Sequence, residues 1–359
     1  MARITNAETL QTIQRLLSDP IANYPVATVA AFDPTKGDLP RRRLDGSMLQ
    51  KMLEAYGKLK IPAVLLAAST GAGHLRTVEE LREWFAAASQ ANVGEMMLTV
   101  LLRPEDGLAA CTSLLDELAE LGRVPVVFFR PGNDLPASAS DTEVAQQLMP
   151  LVAAAAERGF AIGLYSIPDV SGVRLTPLAV TQICQSPGGE RVVAIKVTEA
   201  NYENSTARFL ATNALAGKKI VQGWDTHLAK ALREGDLGDK NRCGVTSGPM
   251  SFAVYQYLHI LERAAAKDWE EVAHAQHAVN QVFASMQDDP MKFADLQRAK
   301  AIMGLGQPLT RELSAAQIDR VLDALKDISR PADKDRLARS LDLLGISPYA
   351  DLLRTLQQH

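Results

Sequence analysis

What most constrains this chain is an alternation: a short aliphatic or β-branched run, then a stretch with apolar residues at helical spacing, repeated along most of its length. Residues 24–32 (YPVATVAAF) read as a strand, and residues 44–60 follow with Leu49, Met52, Leu53 and Tyr56 on one helical face. Residues 61–68 and 78–91 make the next strand and helix, and 96–102 and 107–121 the pair after that. Residues 124–129, 161–165, 192–196, 220–223 and 243–245 supply further strands with helical segments between them. This gives about eight strand–helix units in roughly 240 residues, the size and rhythm of a (β/α)8 or TIM barrel. An open doubly wound sheet is the alternative. It more readily carries a glycine-rich phosphate loop after its first strand, and Asp33-Pro-Thr-Lys-Gly37 lacks that pattern.

From about Asp268 onward only helical periodicity remains, broken at Pro290, at residues 304–308, at Pro331 and at Pro348. The expected organisation is a helical segment over residues 1–23, a barrel over 24–265 and a helical C-terminal extension over 266–359. A barrel's reacting groups come from its strand ends and the loops after them. The extension is therefore expected to cap the barrel or to meet another subunit.

Composition narrows the function. With 359 residues, 47% hydrophobic and 22% charged, the chain has the makings of a large core. A formal net charge of −4 gives no global attraction to nucleic acid or to an anionic membrane, so a small-molecule substrate is expected. Cys111, Cys184 and Cys243 lie far apart with no C-x-x-C spacing, which fits reduced thiols and a cytoplasmic location. No signal pattern opens the chain and no apolar run approaches membrane-spanning length. Arg41-Arg-Arg43, an isolated basic triplet in an acidic protein, reads as a solvated loop.

Chemistry is expected first at Lys196, which ends the buried run Arg191-Val-Val-Ala-Ile-Lys196. A lysine pressed against apolar walls loses hydration, which favours its neutral amine and makes it a nucleophile towards a carbonyl carbon. Tyr165 ends the preceding strand in Tyr165-Ser-Ile-Pro168; sequential barrel strands are neighbours, so it can face Lys196 at the same rim. Ser69-Thr70-Gly71-Ala-Gly73 follows the second strand, where hydroxyls and flexible backbone suit a carboxylate. A helix carrying Glu271, His274 and His277 has one face of potential metal ligands but lacks the further carboxylates of a di-metal site. No metal and no cofactor is expected.

Ser-Thr-Gly after strand two, Tyr-x-x-Pro after strand five and Val-x-x-Ile-Lys in strand six together resemble the N-acetylneuraminate lyase and dihydrodipicolinate synthase family of Schiff-base aldolases. The resemblance runs in order and spacing over residues 24–261. It implies a (β/α)8 barrel with a helical C-terminal extension, usually a homotetramer, acting on pyruvate or another 2-oxo acid without a metal. On that resemblance Lys196 forms the imine, Tyr165 shuttles the proton, and Ser69, Thr70 and Gly71 hold the carboxylate. Thr198, Gly223, Asp225 and Ser247 fall where lyase-type members contact substrate.

A protonated imine accepts electrons as a carbon–carbon bond breaks, so this chemistry needs no Lewis acid. The chain also departs from the family. Ala72 stands where most members have glutamate, Phe128-Phe129 where the synthase supplies a second tyrosine, and Val170 where the synthase has a substrate-binding arginine. A lyase making or breaking an aldol bond is the expectation, not a true dihydrodipicolinate synthase. A dehydratase of a sugar-derived 2-oxo acid and a non-catalytic 2-oxo-acid-binding barrel remain as alternatives, and the subunits are expected to form a dimer or tetramer.

Overall fold

A computed structural model describes residues 1–40, 42–289 and 295–357. Eight strands close into a barrel: β1 (Ala27–Ala30), β2 (Ala63–Leu66), β3 (Met97–Leu102), β4 (Val126–Phe129), β5 (Ala161–Ser166), β6 (Val192–Val197), β7 (Lys219–Gln222) and β8 (Cys243–Ser247). The order around the barrel is β1-β8-β7-β6-β5-β4-β3-β2, and the pairings from β2 round to β8 are parallel. Every residue of β2 to β8 is buried, which is why the sequence shows continuous apolar runs and not alternation. The expected (β/α)8 barrel is the observed fold, and the open sheet is not.

Strand limits differ from the apolar runs for local reasons. β2 stops at Leu66 because Ala67 takes a left-handed conformation at φ 58°. The helix after β1 starts at Gly46 instead of residue 44, because Leu44 pairs with Thr35 in a two-residue antiparallel ribbon, Thr35–Lys36 against Arg43–Leu44. Asp45 then caps the helix, its Oδ1 accepting from the Met48 N–H at 3.2 Å. Helix Gly46–Lys58 buries Leu49, Met52, Leu53 and Tyr56, the face expected from their spacing.

The chain divides into two compact units. One comprises residues 1–28, 62–66 and 97–246 and holds β2 to β7 and most of β8; the other comprises residues 29–61, 67–96 and everything from Ser247 on. After β8 the described residues contain only helices, chiefly Val254–Ala265, Trp269–Ala284, Gln297–Ile302, Ala315–Lys326, Pro331–Leu341 and Ala350–Leu356. Gly304, at φ 77°, follows Gln297–Ile302, and the break at Pro331 is a boundary between helices: Ala315–Lys326 ends before it and Pro331 opens the next at its first turn. Pro290 and His359 lie outside the described residues. No described helix is long and apolar enough to cross a membrane.

The basic triplet corrects one expectation. Arg42 is buried, not solvated: it pairs with Glu312 and donates to the carbonyls of Pro308 and Arg311. Arg43 is exposed, and Arg41 lies outside the described residues.

Candidate active site

β5 and β6 pair with Tyr165 directly beside Lys196. The lysine is 3% exposed, and its Nζ lies 4.0 Å from the centroid of the Tyr165 ring. Burial lowers its pKa to about 7, while the nearby Asp225 carboxylate works the other way. The Tyr165 hydroxyl donates to Thr198 Oγ1 at 3.1 Å; burial pushes its pKa well up, and the Thr198 hydrogen bond and the Arg130 charge oppose that rise.

Gly223, just after β7, is required by space. A Cβ there would stand 2.0 Å from Thr198 Oγ1 and 3.1 Å from Lys196 Cε. Its N–H donates to Val197 O at 2.7 Å, and Gln222 Oε1 accepts from the N–H groups of Gly223 and Trp224, both at 2.9 Å. Gln222 is anchored in turn, Nε2 donating to Thr206 Oγ1 at 3.1 Å. Thus Lys196, Tyr165, Thr198, Gly223 and Asp225 come together.

Several polar residues around this cluster were not expected. Ser166 Oγ donates to Glu199 Oε1 at 2.7 Å and accepts from the Leu175 N–H, and Arg174 Nε donates to Glu199 Oε2 at 2.7 Å. Arg130, buried after β4, pairs with Glu105. Their signal in the sequence is a polar residue at or just past the end of a buried run, as with Ser166, Gln222 and Arg130. Phe128 sits on the glycine of the neighbouring strand: a Cβ on Gly163 would meet its ring at 2.3 Å.

The second unit holds Ser69, Thr70, Gly71 and Ser247. Ser69–Gly71 form a tight 3-10 turn after β2, and all three residues are buried. The N–H groups of Gly71 and Gly73 donate to Ala68 O, and that of Ala72 to Ser69 O. Those three amides are therefore engaged within the turn, which leaves the Ser69 and Thr70 hydroxyls as its side-chain donors. Gly71 is forced, because a Cβ would meet Ala31 O and Trp84 Cη2, both at 2.6 Å. Ser247 Oγ accepts from the Met250 N–H at 2.9 Å, and a Cβ on the adjacent Gly248 would meet Thr70 Oγ1 at 2.8 Å. Behind the turn lies buried Asp33, bonded by Arg76, by Lys300 Nζ at 3.0 Å and by Gln297.

Glu271 pairs with His259 and Arg330, and His274 and His277 are exposed. Among the described residues, no group of three or more His, Cys, Asp or Glu side chains is placed to hold a metal ion.

No protein-family model and no curated protein matches the chain. Solved structures do. Wild-type sialic acid aldolase from Ruminococcus gnavus aligns at 17% identity with a TM-score of 0.71, covering 89% of this chain and 99% of its own. A prophage protein of the dihydrodipicolinic acid synthase family from E. coli K12, solved with pyruvate, aligns at 14% identity and TM-score 0.72, over 84% of this chain and 98% of its own. A variant of 2-keto-3-deoxygluconate aldolase from Sulfolobus solfataricus aligns at 14% identity and TM-score 0.67, over 85% and 96%. This chain has the fold of those three proteins.

On the aldolase fold, the three departures have defined places. Ala72 is buried at φ 53° between two 3-10 turns, Phe128 and Phe129 end β4, and Val170 lies in the one-turn helix Pro168–Ser171.

Proposed function

We propose that this protein is a class I aldolase, a lyase that makes or breaks a carbon–carbon bond next to a 2-oxo acid of the pyruvate type through a Schiff base on Lys196. The observation that carries this reading is the Lys196 amine buried against the Tyr165 ring at 4.0 Å, with its pKa brought down to about 7. Near neutrality a substantial fraction of that amine is unprotonated, unlike an ordinary solvated lysine near 10.4.

The neutral Nζ adds to the keto carbon, and a proton delivered to the resulting carbinolamine hydroxyl lets it leave as water and gives a protonated imine. In cleavage, removal of the proton on the C4 hydroxyl sends the C3–C4 electron pair into the imine, an aldehyde leaves, and an enamine remains. Protonation at C3 and hydrolysis release the shorter 2-oxo acid and free Lys196. Tyr165 carries the proton, with Thr198 fixing its hydroxyl at 3.1 Å. Ser69 and Thr70 bind the carboxylate through their hydroxyls, Gly71 lets that turn close, and Gly223, Asp225 and Ser247 border the substrate. The same reading takes residues 24–265 as the barrel, the free thiols Cys111, Cys184 and Cys243 as marks of a cytoplasmic protein, and a dimer or tetramer as the assembly.

The test is chemical trapping. Incubated with pyruvate and borohydride, the protein is expected to gain a permanent adduct on Lys196, located by intact-mass and peptide analysis, with Lys196→Ala as control. A dehydratase would give the same adduct but release water, not an aldehyde, from a sugar-derived 2-oxo acid. If pyruvate and several longer 2-oxo acids leave Lys196 unmodified, the aldolase reading falls and a non-catalytic barrel replaces it.

A further inference from the structure

We infer that Gln297, from the C-terminal extension, is a positioning residue for 2-oxo-acid binding: its side-chain amide fixes the Thr70 peptide and so sets the Thr70 hydroxyl. The inference rests on the carboxylate-binding role proposed above for the Ser69–Gly71 turn.

Helix Gln297–Ile302 is unusual for a surface extension in that all six residues are buried, among them Gln297, Arg298 and Lys300. The NH2 group of a buried glutamine needs acceptors, and that of Gln297 finds them at the turn. Its Nε2 donates to Thr70 O at 2.7 Å and to Asp33 Oδ1 at 3.3 Å. Two acceptors on one side fix which end of the amide faces the turn, because a carbonyl oxygen there would meet Thr70 O and the Asp33 carboxylate.

Asp33 is itself immobilised by Arg76 and by Lys300, whose Nζ donates to both Asp33 O and Asp33 Oδ1 at 3.0 Å. Gln297 is thus a rigid strut between a fixed carboxylate and the Thr70 carbonyl. The rest of the turn has little room to compensate: Gly71 is hemmed by Ala31 O and Trp84, and Thr70 Oγ1 lies close to Gly248. Losing the strut frees the Thr70 peptide to rotate and misaims the hydroxyl, while Lys196 and Tyr165 keep their own partners. Binding of the carboxylate weakens, and the chemical step on the bound molecule does not.

The experiment compares wild type, Gln297→Met, Gln297→Asn and Lys300→Met by borohydride trapping of pyruvate on Lys196. Both the pyruvate concentration for half-maximal adduct and the rate at saturation are read, with circular dichroism confirming the fold. Met fills the space without a donor, and Asn keeps an amide too short to reach Thr70 O. Each is expected to raise the half-saturating concentration about tenfold, the worth of one buried hydrogen bond, with the saturating rate within about twofold of wild type. Lys300→Met, which touches Asp33 but not Thr70, is expected to lower the melting temperature and leave half-saturation within about twofold. An unchanged half-saturation in either folded Gln297 variant overturns the inference, as does an equal rise in Lys300→Met. Absence of any adduct in wild type instead removes the aldolase reading and this inference with it.

Discussion

A lysine is a nucleophile only to the extent that something keeps it uncharged, and for Lys196 that something is burial, opposed by the charge of Asp225. Adduct formation with pyruvate is therefore expected to rise with pH through about 7 and to level off above it. Asp225→Asn removes the group that favours the ammonium form, so the midpoint should move to lower pH; a midpoint that rises would show that Asp225 acts differently. Tyr165→Phe keeps the ring against Nζ and deletes only the hydroxyl bonded to Thr198. Turnover of a cleavable 2-oxo acid should fall by roughly 10²-fold or more with the circular dichroism spectrum unchanged. Specificity also has a residue-scale prediction. With Val170 and Phe128-Phe129 in place of a cation and a second hydroxyl, condensation of pyruvate with aspartate semialdehyde should be inefficient in a coupled reductase assay. The missing charged partner alone corresponds to roughly ten- to a hundredfold in binding.

Elements join these residues, and here Gly223 is the sensitive point. Gly223→Ala drives a methyl into Thr198 Oγ1 and towards Lys196 Cε, and should cost about 1–3 kcal/mol in urea denaturation. Thr198→Ala in the same chain should recover part of that cost, so the double-mutant cycle should show coupling between the two. The strands were legible because each is a buried parallel strand and must read as an unbroken apolar run. Lys196 and Tyr165 were legible because each ends such a run, and their pairing followed from strand order. The polar frame was not. Gln297 meets Thr70 across 227 residues and Asp33 across 264, and Arg42 meets Glu312 across 270. Nothing local in a short polar segment announces that it will be buried by contacts so far along the chain. The two-residue ribbon at Thr35–Lys36 was equally silent, being too short to carry a period.

At the scale of the whole molecule, three lysines among the described residues share one property. Burial lowers Lys196 to about 7 and Lys219 and Lys300 each to about 8, from 10.5. Between those values and about 10.5 the unfolded chain holds protons that the native one does not, so stability rises with pH in that window. Buried thiols and phenols act in the opposite sense: Cys111 and Cys243 are pushed up to about 12, and Tyr24, Tyr56 and Tyr165 are raised, so ionisation favours the unfolded chain above about pH 9 to 10. The melting temperature is expected to climb from pH 7 to about pH 9 and to fall beyond about pH 10 in differential scanning fluorimetry. Lys196→Met, inert by design, should melt higher than wild type near pH 7, and the gain should shrink as the buffer becomes alkaline. The amine proposed as the nucleophile is thus a standing load on the folding of the barrel. Directed evolution that scores heat survival alone would discard that amine, so libraries built on this barrel have to be screened for adduct formation as well.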